Sequence, residues 1–310
     1  MNPGYLYAVL AHTLWGLFPL YWRLLAGVPA AELASHRIVW SCLLLLAFVP
    51  LAGQWQQLRA ALADRRVVLL YTAAAILIAA NWTAFLYAIQ TGRVLEASLG
   101  YYINPLLSVL LGVFVLRERL RPSQWVAIGV AAAGVVVMAQ ATQRFPVIGL
   151  TMAISFALYG LVKKSAPLGP LVGLTLETGI LFLPAACFLI VAGVIEPQAL
   201  SGRSVTAWGL LVCGGLITIV PLALFAASAQ RIPLSVIGFL QYIGPTLQFI
   251  LGVFAFGEQL QPLRLVGFAM VWASLIIYVG SLLTGRATQP TSRKAYVSPL
   301  APASGERGRG

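Results

Sequence analysis

Ionisable side chains stand close together at the start of the second apolar stretch of the sequence. Glu32, His36 and Trp40 are spaced four residues apart, which places them on one helical face, while Arg37 points about a quarter-turn away. An imidazole that titrates near neutral pH, beside a guanidinium that stays charged, could bind an anionic or zwitterionic solute. Alternatively, these residues lie at the outer membrane interface and Arg37 extends its charge toward water. The sequence leaves both interpretations open.

A second polar cluster opens the fourth apolar stretch. Glu96, Gly100 and Asn104 are spaced four residues apart, so an acid, a gap and an amide follow one another along a single helical face. Pro105 leaves a backbone carbonyl free near Tyr101, and such a group is tolerated at membrane depth only inside protein or at a wet cavity. Tyr101 and Asn104 are therefore predicted to line a cavity. Glu96 either joins them as a cation or proton site or complements the dipole at the helix start.

Other apolar stretches contribute further candidates at membrane depth. Each needs a partner or a wet cavity, because an ionised group inside the bilayer costs about 2.5 to 3.5 kcal/mol on insertion scales. Asn81 and Trp82 together offer an amide and an aromatic surface that suit an organic solute, although Trp82 could equally be an interface anchor. Glu177 lies well inside the seventh stretch. The complete predicted solute-binding set is His36, Arg37, Asn81, Trp82, Glu96, Tyr101, Asn104, Tyr159, Glu177, Gln241 and Tyr242.

The composition narrows the class of protein. Hydrophobic residues make up 60% of the 310 positions and charged residues only 9%, which excludes a water-soluble fold, since ordinary soluble domains are about 25% charged. The basic residues are scattered, without the basic stripe of a nucleic-acid-binding protein. The three cysteines lack metal-ligand spacing, and no Walker loop, nucleophile elbow or His-Glu-x-x-His pair occurs. We therefore expect no enzyme activity, no catalytic residues, no cofactor and no metal site.

Apolar runs of membrane-spanning length predict an all-α membrane protein with ten transmembrane helices. A span needs about 17 to 25 mostly apolar residues. The tail at 285–310 changes to Pro, Ser, Gly and Arg and is predicted to be a disordered cytoplasmic extension. The ten runs cover 4–25, 34–53, 67–90, 96–116, 123–141, 146–164, 170–194, 205–229, 234–256 and 263–284.

A shift of 140 residues aligns the two halves of the chain. Twelve of the 25 positions at 102–126 are identical to those at 242–266, including paired Tyr, Pro, Gly and Glu residues. Each copy contains five spans, an odd number, so the second copy must enter the membrane upside down. The sequence thus predicts two inverted five-helix repeats, at 4–141 and 146–284. The same shift aligns Glu177 with Arg37, and a salt bridge between them is a hypothesis.

The distribution of basic residues predicts the orientation. With a cytoplasmic N-terminus, fourteen Lys and Arg residues fall on the inner side and six on the outer side, which agrees with the positive-inside rule. Three arginines at 117–121 are replaced by Gly, Gln and Gln in the aligned turn at 257–261, as expected if that turn faces outward. Lys163 and Lys164 are interpreted as part of the inner charge. Both termini are therefore predicted to be cytoplasmic.

The inverted repeat favours a carrier over a pore. A pseudo-two-fold axis in the membrane plane lets the halves exchange conformations, so that a central cavity opens first to one side and then to the other. The expected partners are a small-molecule solute and the lipid bilayer, with no nucleic acid and with the chain acting as a monomer or a dimer. The alternatives are a membrane-embedded enzyme, for which no catalytic motif is present, and a channel, for which no filter motif is present.

Four sequence segments resemble the RarD proteins of the EamA family, within the drug/metabolite transporter superfamily. The segments are Ser35–Ser41, Asn81–Trp82, Leu95–Pro105 and Phe239–Thr246, and the resemblance covers about residues 5 to 284. It implies a bacterial inner-membrane permease with ten helices in two EamA-type repeats, of a group labelled by chloramphenicol sensitivity or resistance. The implied mode is export of a metabolite or similar solute, coupled to a proton or a counter-solute. It brings no catalytic residues.

Overall fold

The computed structural model describes residues 2–140, 145–195, 203–257 and 261–284. Within these ranges the chain is all α-helical, and the predicted tail at 285–310 lies outside them. We number the helices α1 to α12 in chain order: α1 (Pro3–Arg23), α2 (Ala30–Leu51), α3 (Trp55–Ala63), α4 (Arg65–Gln90), α5 (Val94–Phe114), α6 (Pro122–Gln140), α7 (Val147–Ser165), α8 (Pro170–Ile195), α9 (Val205–Ala229), α10 (Leu234–Gln241), α11 (Ile243–Phe256) and α12 (Pro262–Thr284).

The described helices confirm the ten predicted spans. Nine stretches are long and apolar enough to cross a bilayer by length and composition, with α10 and α11 counted together as Leu234–Phe256. Helix α1 is the tenth, since its 21 residues extend about 31 Å at 1.5 Å per residue and it packs against α9 and α11. Helix α3 has nine residues, too few to span, and follows α2 as a short connection.

Local sequence signals explain several helix ends. The side chains of Asn2, Asp64 and Ser204 each accept a hydrogen bond from a backbone N–H in the first turn of the helix that follows, and so satisfy donors with no partner inside the helix. Past the ends of α5 and α11, Arg117 (φ 57°) and Gly257 (φ 68°) have left-handed backbones. These two residues are 140 positions apart, so both repeats end this helix in the same way.

Helix packing follows the inverted repeat. Helices α4 and α5 of the first repeat pack against α7, the first helix of the second repeat. In the symmetric counterpart of this arrangement, α9, α10 and α11 of the second repeat pack against α1, the first helix of the first. Three further pairs join equivalent helices across the pseudo-two-fold axis: α2 with α8, α5 with α10, and α6 with α12. Each repeat therefore completes its packing with the first helix of the other.

Small residues let the helices approach closely at these crossings. A β-carbon at Gly100 of α5 would lie 2.7 Å from the carbonyl oxygen of Gly149 in α7, closer than van der Waals contact allows. Similarly, a β-carbon at Gly238 of α10 would lie 2.7 Å from the carbonyl oxygen of Pro105. Close backbone approach of this kind is how helices associate in lipid, where apolar burial gives little driving force.

The ninth span differs from the single run expected over 234–256, because it is interrupted at Tyr242. Pro245 has no N–H to bond the carbonyl of Gln241, and the adjacent Gly244 makes the helix easier to bend. In α5 the repeat partner Pro105 is preceded by Asn104, and that helix continues through it.

Candidate functional site

A cavity of about 600 Å³ lies between the two repeats. Among the described helices, all except α3 and α8 contribute to its wall. Its volume is in the range of small-molecule pockets, about 300 to 1,000 Å³. It is the space that an inverted repeat is expected to enclose.

The cavity reaches one end of the molecule, which we call the open end. Its wall includes Trp22 at the end of α1, Val94 at the start of α5, Phe256 at the end of α11 and Gln261 beside the start of α12. In the opposite direction its wall extends along α1 only as far as His12, near the middle of that helix. The cavity is therefore accessible from one side in this conformation.

The opposite end, which we call the sealed end, is closed by a carboxylate on a helix start. Glu118 follows α5, and its Oε1 accepts from the backbone N–H of Leu234 at 2.7 Å. Its Oε2 accepts from the N–H of Ser235 at 2.9 Å and from the Ser235 hydroxyl at 2.5 Å. Gly112 makes room, since a β-carbon there would lie 2.7 Å from Glu118 Oε2. A negative charge on two free N–H groups at a helix N-terminus is stabilising, and this contact joins the repeats.

A buried ion pair also lies toward the sealed end. Lys163 of α7 pairs with Glu177 of α8, and the Tyr159 hydroxyl donates to the other carboxylate oxygen at 3.0 Å. Lys163 is 2% exposed and Glu177 2%. The ammonium nitrogen also lies 5.3 Å from the ring centre of Tyr71 and 5.4 Å from that of Tyr159. Both charges are thus neutralised within the protein.

Arg37 has different surroundings, in the wall of the cavity. Its guanidinium carbon lies 4.9 Å from the ring centres of both Trp22 and Trp82, and 6.0 Å from that of Phe18. Its Nε donates to Thr218 Oγ1 at 2.9 Å. The hypothesised salt bridge between Arg37 and Glu177 does not form, because Glu177 is paired with Lys163.

The structure brings six of the predicted residues to the cavity wall and leaves five outside it. In the wall, Asn81 donates to the carbonyl oxygen of Met152 at 2.8 Å, and the side-chain nitrogen of Gln241 is buried without a hydrogen-bond partner in the described part of the chain. The six wall residues are Arg37, Asn81, Trp82, Tyr101, Asn104 and Gln241. The five others are His36, Glu96, Tyr159, Glu177 and Tyr242.

Two of the five have local partners near the open end. Glu32 accepts two hydrogen bonds from Arg203, at 2.5 and 2.7 Å, and lies 3.5 Å from His36 Nε2. Glu96 accepts two from Arg93, at 2.7 and 2.8 Å. Of the other three, Tyr159 and Glu177 belong to the buried ion pair, and Tyr242 donates to the carbonyl oxygen of Tyr102 at 3.2 Å.

Sequence reasoning missed several wall residues. Arg264 lines the cavity near the open end but stands at the start of a span, where an arginine is ordinarily a topology signal. Phe18, Trp22 and Phe156 line it too, and their aromatic type is common in any apolar span. A useful signal was available, since Phe18 and Trp22 are four residues apart on one face of α1. Within the described ranges, no group of three or more His, Cys, Asp or Glu side chains could hold a metal ion.

The fold and cavity define a multi-pass membrane protein with two inverted repeats around a central binding space. The EamA-like transporter family matches residues 2–140. Protein RarD of Streptomyces exfoliatus is 42% identical over 303 residues, covering 96% of this chain and 95% of that protein. The uncharacterized transporter YojE of Bacillus subtilis (strain 168) is 41% identical over 282 residues, covering 90% and 94%. The chain belongs to the EamA family and, within it, to the RarD proteins; it is a membrane transporter of that family.

Two other comparisons bear on the site and the fold. The chloramphenicol-sensitive protein RarD of Pseudomonas aeruginosa (strain PAO1) is 30% identical over 278 residues, covering 88% of this chain and 92% of that protein. One solved crystal structure superposes with a TM-score of 0.70, at 19% identity, covering 92% of this chain and 99% of that one. At this identity the likeness establishes the fold alone.

Proposed function

We propose that this protein is a secondary active transporter that exports a small organic solute by alternating access between its two inverted repeats. The observation that carries the proposal is the cavity between the repeats, accessible at one end and closed at the other. A pore would need a continuous path, whereas a carrier has a central site that opens to one side at a time. The repeats would exchange conformations to move the accessible end.

The proposed orientation puts the sealed end in the cytoplasm. Nine of the described Lys and Arg residues lie on that side, in the segments at 55–66, 117–121, 163–164 and 231. Positive charge collects on the cytoplasmic side of membrane proteins, so both termini would be cytoplasmic and the cavity would face outward. The two proposed repeats are 4–141 and 146–284. The proposed cytoplasmic tail, 285–310, lies outside the described residues.

The proposed solute site uses the cavity wall. Arg37 and Trp82 supply a cation and an aromatic surface, and Asn104 and Gln241 supply amides from the two proline-containing helices. His36, Glu96, Tyr159, Glu177 and Tyr242 lie outside the wall and would act through neighbouring groups. The name of the Pseudomonas relative, a chloramphenicol-sensitive protein, supports an effect on chloramphenicol sensitivity. A proton or a counter-solute would drive export, and the chain would act as a monomer or a dimer.

Counterflow in proteoliposomes tests the proposal. Purified protein would be reconstituted and loaded with amino acids, carboxylic acids or phenicol antibiotics, with and without a pH gradient. A carrier gives saturable flux that is accelerated by solute on the opposite side. Asn104→Ala should reduce this flux, while Thr151→Ala, an exposed position outside the cavity wall, should not. Flux that rises linearly with concentration and shows no such acceleration would contradict a carrier.

A further inference from the structure

The cavity wall carries positive charge that no described acid balances. Arg37 and Arg264 both line it. The chain has eight acidic residues, five of which lie in described segments. All five have partners elsewhere: Glu32 with Arg203, Asp64 with the start of α4, Glu96 with Arg93, Glu118 with the start of α10, and Glu177 with Lys163. An arginine at membrane depth that pairs with none of the described acids is costly, so a bound anion would be stabilised beside it.

The contacts of Arg37 leave most of its donors free for a ligand. A guanidinium has five N–H donors, and within the described structure one of them is used, by Nε to Thr218. Trp22, Trp82 and Phe18 hold the guanidinium through cation–π contacts. These rings fix its position without neutralising it. A positioned guanidinium matches the two oxygens of a carboxylate with paired hydrogen bonds.

We propose that the transported solute is an organic monocarboxylate with a flat apolar body, whose carboxylate binds Arg37 and whose body lies among the aromatic residues of the cavity. This assignment rests on the proposed transport function and specifies its substrate class. The aromatic wall is extensive, with side chains from α1, α4, α5, α7 and α11. Aromatic rings stack well on flat apolar groups, but they interact only weakly with a strongly hydrated ion.

The charge and the aromatic surface of the cavity wall favour a monocarboxylate over a zwitterion, an amine, inorganic phosphate or a neutral amide. The ammonium of a zwitterion or an amine would meet Arg37 and Arg264 with no described carboxylate in the wall to receive it. Like charges in a low-dielectric cavity repel strongly. Inorganic phosphate carries the charge but lacks a body to contact the rings. A neutral amide fits the rings but leaves the guanidinium unpaired.

A matched series of ligands tests the assignment. We would use 3-phenylpropionate, 3-phenylpropionamide and 3-phenylpropylamine, which share one body, together with inorganic phosphate. Binding would be measured by quenching of tryptophan fluorescence in detergent, since Trp22 and Trp82 flank the proposed carboxylate site. Flux of the same compounds would be measured in proteoliposomes. The wild-type protein should bind the carboxylate about 10- to 100-fold more tightly than the amide, as expected for a charge-assisted pair.

Three variants test whether Arg37 causes the preference for the carboxylate over the amide. Arg37→Met should remove the preference for the carboxylate over the amide, and Arg37→Lys should keep part of it because the charge remains. Arg59→Gln is the control. Arg59 is exposed on α3 and lies outside the cavity wall, so its loss should leave the preference unchanged. Unfolding curves in detergent would verify that each variant is folded.

The outcomes separate this inference from the transport function. Equal binding of the carboxylate and the amide by the wild-type protein, or an undiminished preference in Arg37→Met, would overturn the carboxylate assignment. Saturable flux of the amide in the same experiment would then still uphold a carrier. Phosphate that competes as well as the carboxylate would show that the site recognises charge alone and would also overturn the assignment. Folded protein that neither binds nor moves any of these compounds would overturn the carboxylate assignment, and counterflow with the wider panel would then decide on the carrier.

Discussion

The sealed end and the open end of the molecule are built from aligned positions with opposite chemistry. Near the sealed end, Glu177 pairs with Lys163 and both are buried. Their repeat counterparts toward the open end, 140 residues earlier, are Arg37 and Arg23. An acid and a base in one repeat thus correspond to two bases in the other. One end is neutralised within the protein, and the other keeps a positive charge beside the cavity.

The aromatic residues that flank Arg37 are not repeated at the aligned positions, and the rings beside Lys163, those of Tyr71 and Tyr159, come from other positions. Trp22 and Trp82 flank Arg37, whereas their repeat counterparts, Val162 and Leu222, are aliphatic. The two repeats therefore share one backbone arrangement, while the side chains at the two ends differ in charge and in aromatic content. We interpret the sealed end as a structural closure and the open end as the place where a solute is recognised.

The largest predicted effect comes from removing one charge of the buried Lys163–Glu177 ion pair near the sealed end. Glu177→Ala leaves the Lys163 ammonium buried without a counter-charge, and such changes cost about 3 to 5 kcal/mol of unfolding free energy. The double variant Lys163→Met/Glu177→Leu should restore most of this stability, because no charge remains buried. Denaturant titration in detergent measures the unfolding free energy of both variants. Arg37→Met should cost less than Glu177→Ala, since it removes cation–π contacts and one hydrogen bond to Thr218 but leaves no buried charge without its partner. A Glu177→Ala protein as stable as wild type would show that the pair does not support the sealed end.

The next prediction concerns the closure itself. Glu118→Gln weakens the contact with the start of α10, and a hydrogen bond to a charged group is worth about 1.5 to 3 kcal/mol. Opening of the sealed end should therefore become more frequent, by about tenfold. Maleimide labelling of Gly160→Cys reports this, because Gly160 is buried beside Leu234 and a β-carbon there would make only ordinary van der Waals contacts. The native cysteines would be replaced first.

Asp64→Asn provides the control for this measurement. Asp64 also caps a helix start, accepting from the N–H groups of Arg66 and Val67, but that contact stays within one repeat. Asp64→Asn should lower the stability slightly and leave the labelling rate of Gly160→Cys unchanged. Equal labelling in the Glu118→Gln and wild-type backgrounds would mean that Glu118 does not hold the sealed end closed.

A smaller effect is expected when an aromatic residue of the open end is replaced by the residue at the aligned position of the second repeat. Trp82→Leu installs the residue found at the aligned position, Leu222, and removes one cation–π contact to Arg37. Such contacts contribute about 0.5 to 2 kcal/mol, so the KM of the transported carboxylate should rise between about 2-fold and 30-fold. Trp55→Leu, at an exposed position on α3, should leave KM unchanged. If both variants behave alike, the aromatic surroundings of Arg37 do not contribute to recognition.

The smallest predicted effect is at Glu96, which the sequence allowed as a cation or proton site. Its carboxylate is held by Arg93, outside the cavity wall. Because Glu96 is buried and paired outside the cavity wall, Glu96→Gln should change KM by less than about twofold, that is by less than about 0.5 kcal/mol. Flux assays at several pH values measure this. A tenfold loss, or a lost pH dependence, would restore Glu96 as a functional group.

The sequence was sufficient for the fold because hydropathy and the repeat are both local or periodic signals. Ten spans and their inversion follow from run lengths and from one fixed offset. The break at Tyr242 was harder to predict. The same proline occurs in both repeats, and its consequence depends on whether Gly244 or Asn104 precedes it.

Placement in the cavity wall was predictable for residues whose type is costly or bulky at membrane depth. Arg37, Asn81 and Trp82 are costly or bulky at membrane depth, and they do line the cavity. The partners of the other groups depend on contacts that the sequence does not encode locally. Arg203 reaches Glu32 across 171 positions. Lys163 stands in the last turn of its helix, where the orientation rule explains any lysine, and only packing places it in a buried ion pair.

Each repeat packs with the first helix of the other, so the chain cannot be cut between the repeats without separating helices that pack together. Helix α1 packs with α9, α10 and α11, and helix α7 packs with α4 and α5, so each of these packed groups contains a helix from the other half of the chain. A cut between 140 and 145 would separate the two copies along the chain while dividing both packed groups in space. Neither fragment expressed alone would contain a whole packed group, and the two fragments would have to be made together to assemble one.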